Sequence, residues 1–422
     1  MSAIAVQGNR VAGIEAAELA TRFGTPLYVY DFDVIAARVS ALRAVLPPSF
    51  ELAYAAKANP ALAVLDAMRH FGVGLDVASG GELLAADRAG FDLARVVFTG
   101  PGKTDAELTA AVGGNLRAIT VESAGELARL ECIAAEAGRR APILLRVAIR
   151  GEGEDTPILA GGWRKFGIDP RELEAVARRA HASPWLELLG LHAFGASNVR
   201  DSHALAGHIA RTVEVAVGLA RRIGFRLRLV DVGGGLGIPY GEDERPLDLD
   251  RLGERLATLA AGWGSDSDLS ELPILLEPGR YLVGPAGLLL ARVLDVKEVG
   301  DRPVAILDAG IHTALRPALV GSGHRMRLLA TEGRVIGDVL VAGPLCTGLD
   351  VSPEGLQRVP HIGDLVAILD LGAYGFSESM PYFLSHPVAA EVAIRAGRPA
   401  PIRCRVEPAE SFRLQDVPRW SA

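Results

Sequence analysis

The chain has 422 residues, 49% of them hydrophobic and 23% charged, with a net charge of −7. That balance suits a globular protein too long for one small core, so two domains are expected. The basic residues are scattered and outnumbered, 44 against 51 acidic ones, which excludes a nucleic-acid surface. No uncharged run reaches the roughly 18 residues of a membrane helix. The start "MSAIAVQGNR" lacks the charged and apolar parts of a secretion signal. Cys132, Cys346 and Cys404 are too few and too far apart for a disulfide framework or a metal cluster. A cytoplasmic protein, without metal and engaging neither membrane nor nucleic acid, is the expectation.

In chain order, "TPLYVYDFD" (25–33) reads as a first strand. Eight short apolar runs follow: "ELAYAAK" (51–57), "GLDV" (74–77), "RVVFTG" (95–100), "RAITVE" (117–122), "ILLRVAI" (143–149), "LELLGLHAF" (186–194), "LRLVDVGGG" (227–235) and "PILLEPG" (273–279). Between most of them lie stretches such as "PALAVLDAMRHF" and "DPRELEAVARRAHA", apolar at three- and four-residue spacing, which predicts helices. "SAGELARLECIAAEAG" opens on Ser123 with Glu126 three residues on, the pattern of a capping box. Eight βα units predict a closed (β/α)8 barrel, typically about 250 residues, with an open doubly wound sheet as the competing arrangement. Beyond about residue 281 the runs "LLARVLDVKEV", "PVAILDAG", "RVIGDVLVAGPL", "DLVAILDLGAYG" and "PIRCRVEP" are strand-like with little helix between them. The expected domains are therefore a barrel over 30–280 and a β domain over 281–422 joined by 1–29.

In such barrels chemistry gathers at the C-terminal strand ends. Lys57 stands at the first of these ends, Asp76 at the second, His192, Phe194 and Ser197 at the sixth, Gly233, Gly234 and Gly235 at the seventh, and Glu277, Gly279 and Arg280 at the eighth. The glycines let backbone N–H groups approach a phosphate, and Arg280 can add a charged clamp. Lysine occurs only at 57, 103, 165 and 297. Lys57 is either a side chain snorkelling to solvent or an amine made ready for a Schiff base by apolar surroundings. Glu277 is either a partner for Arg280 or the carboxylate that a pyridinium nitrogen needs. Amine, anion cradle and carboxylate together describe a site for pyridoxal 5'-phosphate (PLP).

The stretches "YAAKAN", "DVASGGEL", "DVGGGLGIPY", "EPGR", "LDAGIHTALRPAL", "GPLCTGLD" and "GAYGFS", in this order from about residue 22 to the end, resemble the fold-type III PLP decarboxylases, the group of diaminopimelate and ornithine decarboxylase. The resemblance implies an alanine racemase-like barrel with a C-terminal β domain and the removal of an amino acid's α-carboxylate. It makes Lys57 the cofactor's Schiff-base lysine, positioned by Asp76, and Glu277 the partner of the ring nitrogen. The Gly233–Gly235 loop, Gly279, Arg280 and Tyr374 would hold the phosphate, and Ser197 the cofactor edge. Arg316 of "RPAL" would bind a substrate carboxylate, alongside His192. Cys346, supplied by the partner subunit of a homodimer with shared active sites, would return a proton to the carbon that loses CO2.

Two departures bear on the substrate. The family sets a histidine flat on the cofactor ring; aligning "GLHAFGASN" puts Phe194 there, unless strand six is shifted and His192 stacks. The residue after the cysteine is an acid in ornithine and diaminopimelate decarboxylases, matched to a distal ammonium; here it is Thr347, although Glu378 could substitute. Both features resemble the branch acting on carrier-protein-linked or otherwise modified amino acids. True diaminopimelate decarboxylase, an amino-acid racemase and a non-catalytic homologue are the alternatives. The family's mobile active-site segment falls at 150–169, where Arg164 and Lys165 either contact an extended substrate or are solvated.

Overall fold

The computed structural model describes residues 3–149, 165–264, 266, 269–329 and 335–418. The chain divides into two compact units, Arg38–Pro239 with Arg245–Leu282, and Met1–Ala37 with Tyr240–Glu244 and Val283–Ala422. After a meander of two-residue strands (Val6–Gln7, Arg10–Val11, Ile14–Glu15) and strand β1 (Leu27–Asp31), all in the second unit, the chain enters the first.

That first unit is a closed barrel of eight parallel strands in sequence order: β2 (Phe50–Ala55), β3 (Gly74–Val77), β4 (Val96–Phe98), β5 (Ala118–Val121), β6 (Ala141–Arg146), β7 (Leu186–His192), β8 (Leu229–Asp231) and β9 (Ile274–Leu276), with β9 pairing β2. The eight expected strands are all present, and the open-sheet alternative falls with the closure. Most end one to four residues short of the apolar runs, because the last residues leave the ladder to form the mouth. Lys57, for instance, stands in a 3-10 turn, Ala56–Ala58. One layer of the barrel interior is filled by Ala53, Val97, Ala118, Leu144, Leu229 and Leu275, small side chains offsetting large ones.

The helices begin on polar caps. Ser79 Oγ accepts from the Glu82 N–H, and Ser123 Oγ from the Glu126 N–H. At Ser123 the box stays half made, because the Glu126 side chain turns inward. It accepts from Lys103 Nζ at 2.7 Å and from the Glu122 N–H at 3.0 Å. Lys103 is buried, and its other protons go to the Gly100 and Thr120 carbonyls, both at 2.7 Å. This satisfied ammonium draws Glu126 away from the cap. The reciprocal box forms instead at Thr104 and Glu107. Thr104→Ala is expected to lower stability by about 1 kcal/mol, read as a fall in the urea midpoint at unchanged slope.

The second unit is a β domain. Strands β10 (Gly287–Val299), β11 (Arg302–Leu307), β12 (Met326–Leu328), β13 (Ile336–Ala342), β14 (Leu356–Arg358), β15 (Leu365–Ile368), β16 (Ala390–Arg395) and β17 (Arg398–Arg403) join β1 in a sheet ordered β14-β13-β11-β10-β1-β16-β17, with β15 pairing both β10 and β12. The early strand "TPLYVYDFD" is thus an interior strand, antiparallel to β10 and parallel to β16. Its period of two is visible in the packing. Leu27 and Val29 enter a core with Leu288, Leu290, Ala367 and Val392, while Tyr28 and Tyr30 stack on each other at 6.2 Å. Among the described residues, no helix is long and apolar enough to cross a membrane.

Candidate active site

The barrel mouth collects the chemistry. Lys57 has a side chain 43% exposed, with Nζ 3.7 Å from Asp76 Oδ2 and 5.6 Å from the centroid of the Phe194 ring. The Lys57 turn is reached closely by the end of β9. A Cβ on Gly279 would come within 2.9 Å of Ala58 and 3.2 Å of Ala55, so glycine is what permits the approach. Asp76 is buried and accepts from Thr99 Oγ1 at 2.5 Å. Burial, then the negative charge of Glu277, pushes its carboxyl up to about 7 despite Lys57 and Thr99.

Glu277 is buried behind the mouth with His192 Nε2 3.5 Å from Oε2. Its own N–H donates to the Gly233 carbonyl at 2.8 Å, which ties the end of β9 to the glycine loop. Burial, and next the charge of Arg146, hold His192 well below the usual imidazole range, so the ring is neutral at physiological pH. Arg146 itself is paired with Glu122 at 2.7 Å. Glu122 Oε2 also accepts the Gly167 N–H at 3.0 Å, anchoring the last part of the 150–169 segment. Of that segment, residues 150–164, Arg164 included, lie outside the described residues. Lys165 is exposed with Nζ 4.9 Å from the Phe166 ring centroid.

The glycine loop is shaped by close packing. Gly233 and Gly235 adopt φ of +65° and +92°, and a Cβ on Gly234 would overlap the Glu277 carbonyl. The N–H groups of Gly234 and Gly235 donate to no acceptor among the described residues. Nearby, Arg280 Nη2 donates to Ser197 Oγ at 3.3 Å. Unserved N–H donors, a guanidinium and a hydroxyl make an anion cradle.

The remaining expected residues lie in the β domain. Arg316 is buried, with Nη1 3.0 Å from Glu378 Oε2 and its guanidinium 5.0 Å from the Tyr374 ring centroid. Tyr374 sits at φ +55°, a rare conformation for a non-glycine residue. Cys346 is exposed on a loop that Asp350 clasps. Asp350 Oδ1 accepts the Ile311 N–H at 2.7 Å, and Oδ2 the Leu345 N–H at 2.8 Å. A Cβ on either Gly310 or Gly343 would collide with the Asp350 carboxylate. The Thr347 hydroxyl accepts the Leu349 N–H at 3.3 Å. Asp350 was not singled out from sequence, although its signal was there: an acid closing "GPLCTGLD", with a glycine opening that motif and another in "LDAG". Asp231 was passed over too, although an acid inside the apolar run "LRLVDV" is anomalous.

A closed barrel with a lysine, a buried acid and an anion cradle at its mouth, next in sequence to a β domain, defines a PLP-binding class. The comparisons with known proteins agree. Residues 32–284 match the family described as pyridoxal-dependent decarboxylase, pyridoxal binding domain. The chain is 36% identical over 408 residues to the diaminopimelate decarboxylase of Aquifex aeolicus, covering 94% of this chain and 92% of that protein. It is 31% identical over 394 residues to the L-glutamyl-[BtrI acyl-carrier protein] decarboxylase of Niallia circulans, covering 91% and 92%. The crystal structure of diaminopimelate decarboxylase from Helicobacter pylori, complexed with L-lysine, is similar with a TM-score of 0.86 at 30% identity, covering 94% of this chain and 98% of that one. The chain belongs to the fold-type III pyridoxal-dependent decarboxylases. It is a PLP-dependent carboxy-lyase acting on an amino-acid substrate. The donor set fits the cofactor: Lys57 offers an amine, the Gly234 and Gly235 N–H groups await an anion, and Glu277 Oε1 is a buried acceptor with no donor among the described residues.

Proposed function

We propose that the enzyme removes the α-carboxylate of an amino acid whose distal end carries no free ammonium. A glutamyl group joined to a carrier through its side-chain carboxyl is one such substrate. When bound, PLP supplies an aldehyde that condenses with amines and a protonated ring that draws in the electron pair left as CO2 departs. Lys57 holds the cofactor. Asp76, 3.7 Å from its Nζ and titrating near 7, takes up or returns the amine's proton. The Gly233–Gly235 loop, Gly279, Arg280, Ser197 and Tyr374 bind the phosphate. Phe194, with its ring centroid 5.6 Å from Lys57 Nζ, would lie beside the cofactor ring and could not donate a proton to it. Glu277, with His192 beside it, keeps the ring nitrogen protonated. Arg316 binds a substrate carboxylate through guanidinium N–H groups other than those of the Nη1 that meets Glu378, and Cys346 from a second copy of the chain returns a proton to the α-carbon.

One observation carries the choice of substrate: the two groups available for a distal ammonium are already engaged. Thr347 is neutral and its hydroxyl serves the Leu349 N–H; the Glu378 carboxylate serves Arg316. A buried ammonium without a carboxylate is costly. Full-length likeness to enzymes named diaminopimelate decarboxylase supports a second reading, decarboxylation of meso-diaminopimelate to L-lysine. Mass spectrometry of amine products from meso-diaminopimelate, lysine, ornithine, arginine and glutamyl-carrier conjugates separates the two. The expected result is a glutamyl-type conjugate preferred about 100-fold in kcat/KM, since an unpaired buried charge costs on the order of 3 kcal/mol. L-Lysine released from meso-diaminopimelate as the best reaction overturns the proposal in favour of the second reading.

A further inference from the structure

Glu277 has a second acid beside it. Asp231 is the last residue of β8, opposite His192 on β7 and Leu275 on β9, and it is 0% exposed. A ring nitrogen of His192 and a carboxylate oxygen from each acid all fall within 4.8 Å of one another. Asp231 Oδ1 accepts the Gly233 N–H at 2.9 Å. Its Oδ2 is a buried atom that no donor serves among the described residues. Two buried carboxylates this close are relieved of repulsion, and the unserved oxygen finds a partner, when one proton is placed between them.

We infer that Asp231 carries that proton in a hydrogen bond to Glu277, making Asp231 a positioning residue that leaves the pair with one negative charge, held on Glu277 and aimed at the cofactor's ring nitrogen. The inference rests on the role given to Glu277 above. The charged and titratable groups around the pair are Lys57, Asp76, Glu122, Arg146 and His192. Lys57 lies against Asp76, and Arg146 is spent on Glu122. His192 is neutral and can offer Glu277 one N–H. Asp231 therefore has no cation of its own. Burial, reinforced by the charges of Glu277 and Asp76, pushes its carboxyl well above the usual range. The proton belongs on the acid that has neither a cation nor a route to water.

Infrared difference spectroscopy on the full-length protein, with and without cofactor, reads that proton directly. Spectra are taken above about pH 7, where Asp76 ionises. Wild type minus Asp231→Asn should show the C=O stretch of one protonated carboxyl, shifting in D2O. Glu277→Gln, in which Asp231 stays buried without a cation, should keep the band and shift its frequency, because the proton now meets an amide. In the loaded enzyme Asp231→Asn keeps a donor and should hold kcat within about 3-fold. Asp231→Ala removes that donor and should lower kcat about 5- to 150-fold with KM little changed. Absence of the band from wild type, or an Asp231→Asn variant as impaired as Asp231→Ala, overturns the inference. Failure of wild type to bind PLP at Lys57 overturns the functional reading instead, and leaves the infrared result standing as a statement about the two acids.

Discussion

Lys57→Ala is expected to abolish the visible absorbance of the PLP-loaded protein and to lower decarboxylation by about four orders of magnitude. The two other lysines of the barrel unit are differently placed. Lys103, in the same unit, is buried and has all three ammonium protons committed to Gly100, Thr120 and Glu126. Lys165 is exposed beside Phe166. The Lys57 side chain is 43% exposed, so its truncation removes little packing and the variant should fold. Circular dichroism checks that point. Added small primary amines should restore part of the rate, because the chemistry needs an amine and the pocket left by truncation admits one. A variant that kept the absorbance and the rate would place the reactive amine elsewhere.

Glu277→Gln has the second largest expected effect, a fall in kcat of about 10²- to 10³-fold, the usual cost of removing one preorganised electrostatic partner from a reacting centre. The amide preserves size and the contact with His192 but cannot stay anionic. Cofactor retention should therefore change little while the turnover falls. Glu277→Asp keeps the charge on a shorter arm and should recover about a tenth of the wild-type rate or more. Equal losses in the Gln and Asp variants would mean that position, and not charge, is what Glu277 supplies. Stopped-flow measurement of single turnovers separates this chemical step from product release.

Much of the fold was legible because barrel strands are buried on both faces and read as short continuous apolar runs. "GLDV" is β3 residue for residue. The candidate site stood out for the complementary reason. Lys57, Asp76 and Glu277 are charges placed where such runs end, and a charge there is costly unless it has work to do. What stayed hidden depends on tertiary partners. Ser123 and Glu126 have the spacing of a capping box, yet a buried lysine 23 residues from Glu126 redirects the acid. Asp231 reads as part of a glycine motif until the closed barrel sets it against Glu277. Asp350 gains its meaning only when the sheet brings Ile311 and Leu345 to either side of one carboxylate.

That last clasp has a mechanical consequence. One side chain fastens the segment leading into Arg316 to the segment bearing Cys346, through two short bonds to backbone amides. The two stretches are therefore yoked, and a displacement that repositions the thiol drags the guanidinium's support with it. A substitution at Thr347, whose side chain takes no part in the clasp, alters the chemistry of that loop without loosening it.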